Sequence, residues 1–110
     1  MPQVTIMTRA YQPFIFGGKV EYNIKTTVEG DGPHDIGKGY KAYVIKTPKG
    51  KTRIAEATSG ALIGPSLKAV IKDVAAGSAA IMKKQVGTAV KAAKKAKVLE
   101  PDEFWKMYEK

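Results

Sequence analysis

At Gly64 the hydrophobic repeat of this chain changes from two residues to about 3.6, and that switch dictates a two-part architecture. Before it, apolar residues alternate with polar ones between glycine- and proline-marked turns. After it, they recur three and four residues apart. The pattern predicts an α+β fold in a single domain spanning residues 1–110. An antiparallel β-meander of four to five strands (about 4–63) packs against two helices (about 65–76 and 78–98), and a short closing helix (about 101–109) follows.

The clearest strand is Val20–Val28. Val20, Tyr22, Ile24, Thr26 and Val28 share one face, while Glu21, Asn23, Lys25 and Thr27 share the other. Val4–Arg9 predicts a shorter strand that ends before Pro13, and Phe14-Ile15-Phe16 with Gly17-Gly18 reads as the near arm and turn of a hairpin. Glu29–Gly39 holds four glycines and a proline, which predicts a loop. Tyr40–Lys46 and Thr52–Thr58 are strands flanking the turn Thr47-Pro48-Lys49-Gly50, with Ala61–Ile63 as a short last strand beyond Ser59-Gly60.

In the second part, Pro65 suits a first helical position, and Leu67, Val70, Ile71 and Val74 form an apolar stripe. Gly77 is placed to stop that helix and Ser78 to cap the next. There Met82, Val86, Ala89, Val90 and Ala93 fall within one arc, facing the core. Lys83, Lys84, Lys91, Lys94, Lys95 and Lys97 fall within the opposite arc. In the tail, Pro101, Asp102 and Glu103 favour a helix start, and Phe104 and Tyr108 lie one turn apart.

Charge gives the strongest functional signal. The net charge is +9, and Ser78–Leu99 carries six lysines without one carboxylate. Exposed helices normally mix Glu with Lys, because like charges three or four residues apart weaken a helix. Lys91 faces Lys94 and Lys95, and Lys94 faces Lys97, with no acid to relieve them. A polyanion laid along this face would do so. The plainer alternative is a solvated face whose late lysines answer the negative helix C-terminus. A second basic element, Lys46, Lys49, Lys51 and Arg53 at the hairpin tip, could contact the same phosphates, or simply guard a strand edge.

Other candidates carry less. Gly32-Pro33-His34-Asp35-Ile36-Gly37-Lys38-Gly39 falls short of a phosphate-cradling loop, because Gly39 stands where a hydroxyl is required and a strand, not a helix, should follow. Asp31, His34 and Asp35 lack metal-ligand spacing, so no metal site is expected. Ser59, Ser66 and Ser78 read as turn or cap residues, and His34 is the sole histidine. The aromatics Phe14, Phe16, Tyr22, Tyr40, Tyr43, Phe104, Trp105 and Tyr108 should be mostly core, with Tyr43 the one expected at the surface. Phe104 and Trp105 are the candidate anchors for a protein partner.

With no cysteine, thiol catalysis, disulfides and thiolate zinc sites are excluded, which fits a cytoplasmic protein. No secretory signal or membrane-spanning run is expected from the apolar stretches. The sequence therefore points to a non-enzymatic, cofactor-free protein that binds nucleic acid. The alternatives are docking on an acidic protein, with the lysines steering, and peripheral membrane attachment through the basic helix.

Overall fold

The computed structural model describes residues 2–13 and 17–108, and shows the α+β architecture. Two long strands, β1 (Gln3–Pro13) and β2 (Lys19–Glu29), pair antiparallel without a register break. Strand β1 thus runs through Arg9 to Pro13, four residues further than the expected strand. The arm expected at Phe14-Ile15-Phe16 lies outside the described residues. The alternation in β2 is realised: Ile24 and Thr26 are buried, while Thr27 is exposed.

A second sheet has the order β3 (Asp31–Gly37), β4 (Tyr40–Lys46), β5 (Thr52–Glu56), β6 (Leu62–Gly64), all antiparallel. Strand β3 corrects the expected loop at Glu29–Gly39. The segment is an edge strand paired with β4 alone, and its ladder is interrupted between Asp31 and His34 and between Asp35 and Gly37. Edge positions and bulges are where a sheet accepts proline and glycine, because a missing N–H or an extra residue costs no ladder bond there.

The two sheets meet where Met7 bridges to Ala61, and the Met7 N–H donates to the Gly60 carbonyl at 2.9 Å. Gly60 is required at this crossing. Its φ is +76°, and a Cβ would overlap the Thr5 carbonyl oxygen.

Helix α1 (Leu67–Asp73) begins at Ser66, whose hydroxyl accepts from the Ala69 N–H at 3.2 Å. Pro65 therefore stands outside the cap rather than at the first helical position, since a hydroxyl can satisfy a free N–H and proline cannot. Val70 and Val74 are buried and Leu67 packs beside them, whereas Ile71, at the edge of the stripe, is 43% exposed. The helix widens over Val74–Ser78, and Gly77, at φ +105°, breaks it. Helix α2 (Ala79–Lys95) follows; the Ser78 side chain lies outside the described residues.

The second helix ends earlier than expected. After Lys95 the chain turns, and β7 (Lys97–Val98) pairs parallel to β2. The Leu99 N–H donates to the Lys25 carbonyl at 2.9 Å, so the backbone leaves the helix ladder for a strand ladder. Helix α3 (Pro101–Tyr108) closes the described chain.

Two hydrophobic clusters lie on opposite faces of the sheets. On one, Val4, Ile6, Ile24, Ile45 and Ala55 meet Phe104 and Trp105 of α3. On the other, Ile36, Ala42 and Ile54 meet Val70, Val74 and Met82 of α1, its widened end and α2. Ile54 and Ala55 are consecutive in β5 and point to different clusters, as strand geometry demands. Helices α1 and α2 therefore share one face, and α3 covers the other. Among the described residues, no helix is long and apolar enough to cross a membrane.

Candidate polyanion-binding face

The apolar arc of α2 is seated as its spacing demands. Met82 is buried, and Val86, Ala89, Val90 and Ala93 are half-buried. Lys83, Lys84, Lys91, Lys94 and Lys95 are exposed on the outward side. From Lys84 to Lys95 the face extends about 16 Å at 1.5 Å per residue. Among the described residues, none of these lysines takes part in an ion pair.

Lys97 does not belong to this helical face. It lies on β7, exposed, just past the helix end, so its expected one-turn opposition to Lys94 is absent. The negative end of α2 is answered from elsewhere. Lys25, on β2, donates from Nζ to the Ala93 carbonyl oxygen at 2.9 Å. Nothing in the helix's own pattern points to that cation, which is contributed by a residue 68 positions earlier.

The hairpin tip is divided between the two faces. The turn forms as expected, with the Gly50 N–H donating to the Thr47 carbonyl at 2.9 Å, and Lys49 and Lys51 are exposed beside it. Lys46 donates to Thr52 Oγ1 at 3.0 Å. Lys46 and Thr52 are cross-strand partners in register with Val44 and Ile54, and so lie on the α1–α2 face. Arg53 is opposite Ile45 and shares its side. There Arg53 Nε donates to the Tyr108 hydroxyl at 2.8 Å and Nη1 to the Thr52 carbonyl at 2.7 Å. The arginine expected to meet phosphate is a tie between β5 and α3, on the face that α2 does not occupy.

The aromatic candidates move inward. Phe104 is fully buried and Trp105 is 7% exposed, with their rings packed edge to face at 5.1 Å. This corrects their expected role as surface anchors: they hold α3 on the sheet, with Ile6 and Ile24 in the same cluster. Tyr43 is also half-buried against that cluster rather than exposed. Phe14 and Phe16 lie outside the described residues.

In β3, His34 Nε2 and Asp31 Oδ2 are 2.9 Å apart, and Asp35 Oδ1 accepts from the Gly37 N–H at 2.8 Å. Strand β4 follows the glycine-rich segment, where a phosphate loop would need a helix. Among the described residues, no group of three His, Cys, Asp or Glu side chains is placed to hold a metal ion.

One charged group missed by the sequence reading is Glu56, 1% exposed. Its carboxylate accepts from the Thr58 N–H at 2.8 Å, the Ser59 N–H at 2.8 Å and the Ser59 hydroxyl at 2.9 Å. It organises the turn that carries Gly60 to the junction of the sheets. The signal available in sequence, a Glu three residues before a Ser-Gly turn, is common to many exposed turns.

No family model, no curated protein and no solved structure matches the chain.

Proposed function

We propose that this chain is a small, basic, non-enzymatic nucleic-acid-binding protein. It contacts phosphates through Lys83, Lys84, Lys91, Lys94 and Lys95 of α2. The observation that carries this reading is the outward face of α2, on which five lysines stand exposed with, among the described residues, no carboxylate paired to them. Like charges at helical spacing destabilise the folded protein, and a bound polyanion removes that penalty. Contacts of this kind position a strand without reading its sequence. From the hairpin tip, the exposed Lys49 and Lys51 add positive charge, and Arg53 contributes to stability instead.

Docking on an acidic protein would use the same lysines. It loses the anchors Phe104 and Trp105, which the core occupies. The phosphate reading is therefore preferred.

The test is a fluorescence-anisotropy titration of labelled duplex and single-stranded oligonucleotides across a range of salt. Five phosphate contacts give a log–log salt slope of about −4.5 on duplex DNA, a loss of several-hundred-fold in affinity between about 50 and 200 mM salt. Absence of binding at the lowest salt, to either form, would overturn the proposal.

A further inference from the structure

Helix α2 is anchored near both ends and bridges a gap between them. Near its start, Met82 and Val86 pack with Ile54 and Val74. At its end, Lys25 holds Ala93 and β7 joins β2. Between these points the helix passes the seam where β1 meets β6, marked by the isolated Met7–Ala61 bridge. A cleft of about 650 Å³ opens there, between helix and seam. That is the size of sites that take drug-sized molecules.

The lining is divided by chemistry. Met7, Leu62 and Met82 supply apolar surface, and on the helix Ala92 is too small to fill the space. Lys84 supplies positive charge, and no Asp or Glu is among the described lining residues. An apolar interior with a lysine at its side and no described carboxylate in the lining favours a guest that has an apolar body and an anionic head. A neutral guest of the same shape gains from the apolar part alone, and a cation is repelled.

We infer that this cleft is a binding site for a small organic anion, an aliphatic or aromatic chain ending in a carboxylate or similar group. The chain lies against Met7, Leu62 and Met82, and the head lies at the Lys84 side. The site shares Lys84 with the lysine row, and the rest of its lining, including Met7, Leu62, Met82 and Ala92, is separate from that row. It does not depend on nucleic-acid binding.

The experiment is an NMR titration of the full ¹⁵N-labelled chain with octanoate, with 1-octanol as the uncharged control. Octanoate should shift amides of residues 7–9, 61–63 and 84–92 and bind more tightly than octanol. Lys84→Gln should weaken octanoate about fivefold or more while leaving octanol unchanged, because a charge-assisted contact is lost. Ala92→Phe should fill the cleft and abolish both sets of shifts. If that variant fails to fold, Lys84→Gln, at an exposed position, still decides the charge question. The triple variant Lys91→Gln/Lys94→Gln/Lys95→Gln should leave octanoate binding intact, which separates this site from the phosphate face. Equal affinity for octanol and octanoate, shifts centred on Lys91–Lys95, or no shifts at all would overturn the inference.

Discussion

Lys25 Nζ lies 2.9 Å from the carbonyl oxygen of Ala93, so a strand of the N-terminal hairpin closes the last turn of the lysine-rich helix. The bond runs from a cation to the negative pole of α2, where a positive charge is favourable. It also relieves Lys94 and Lys95 of that task, leaving both exposed. Lys25→Met should destabilise the protein by about 1–2 kcal/mol, while Lys94→Gln should change stability by less than about 0.5 kcal/mol. Urea denaturation compares the two. Hydrogen exchange should show lost protection at Ala96 and Leu99 in the Lys25 variant.

Glu56 is a buried carboxylate with three donors and, among the described residues, no cation paired to it, and its energetic role is in the turn it organises. Glu56→Ala leaves two backbone N–H groups and a hydroxyl without their acceptor, at a cost of about 2–4 kcal/mol. Glu56→Gln keeps one carbonyl oxygen as acceptor and should fall between that variant and the wild type. Guanidinium midpoints order the three proteins; a midpoint for Glu56→Ala equal to the wild type would show that the clamp is dispensable.

Two glycines should respond to alanine with opposite signs. At Gly60 the backbone is left-handed and the added methyl meets the Thr5 carbonyl oxygen, so Gly60→Ala should cost more than about 2 kcal/mol. At Gly87, inside α2 and exposed, an added Cβ meets nothing within 4 Å. Gly87→Ala should therefore stabilise by up to about 1 kcal/mol through helix propensity. Thermal unfolding of the two variants reads both signs in one experiment.

The Arg53–Tyr108 pair joins residues 55 positions apart on the α3 face. Tyr108→Phe removes the hydroxyl without disturbing the ring, which stacks on Phe104 with centroids 6.3 Å apart. A loss of about 1 kcal/mol is expected. In a double-mutant cycle with Arg53→Gln the second substitution should add little, because both remove the same bond. Independent, additive losses would mean that Arg53 acts through its Thr52 contact or through solvent.

What could be read from sequence was local. The repeat switch at Gly64 separates the sheet-forming part from the helices, and Tyr40–Lys46, the 47–50 turn and the buried arc of α2 follow from short-range periodicity and turn chemistry. What could not be read depends on partners far along the chain. Strand β3 resembles a loop until β4 is beside it, since its glycines and proline are acceptable only at an edge. Strand β7 is two residues long and exists because β2 offers a free edge there. Phe104 and Trp105 carry no signal that tells an interface anchor from a core residue; their burial is decided by Ile6 and Ile24, some 80 or more residues earlier. Arg53 follows the same rule, because Tyr108 alone turns a basic tip residue into a structural tie.

The lysine row makes a prediction in which stability and binding move in opposite directions. Lys91 stands three and four residues before Lys94 and Lys95 on a continuous helix, so each pair repels across one turn. Replacing all three with glutamine removes two such repulsions and should leave the protein as stable as before, or more stable by about 0.4–1 kcal/mol. The same change removes three phosphate contacts. The slope of log affinity against log salt should then become shallower by about 2.7 units on duplex DNA, or about 2 units on a single strand. A parallel variant, Lys49→Gln with Lys51→Gln, reports whether the hairpin tip joins the same contact. A further reduction in slope places both elements on one strand of phosphates, whereas an unchanged slope confines binding to α2. A triple variant that keeps the full wild-type slope would remove the α2 face from the interface altogether.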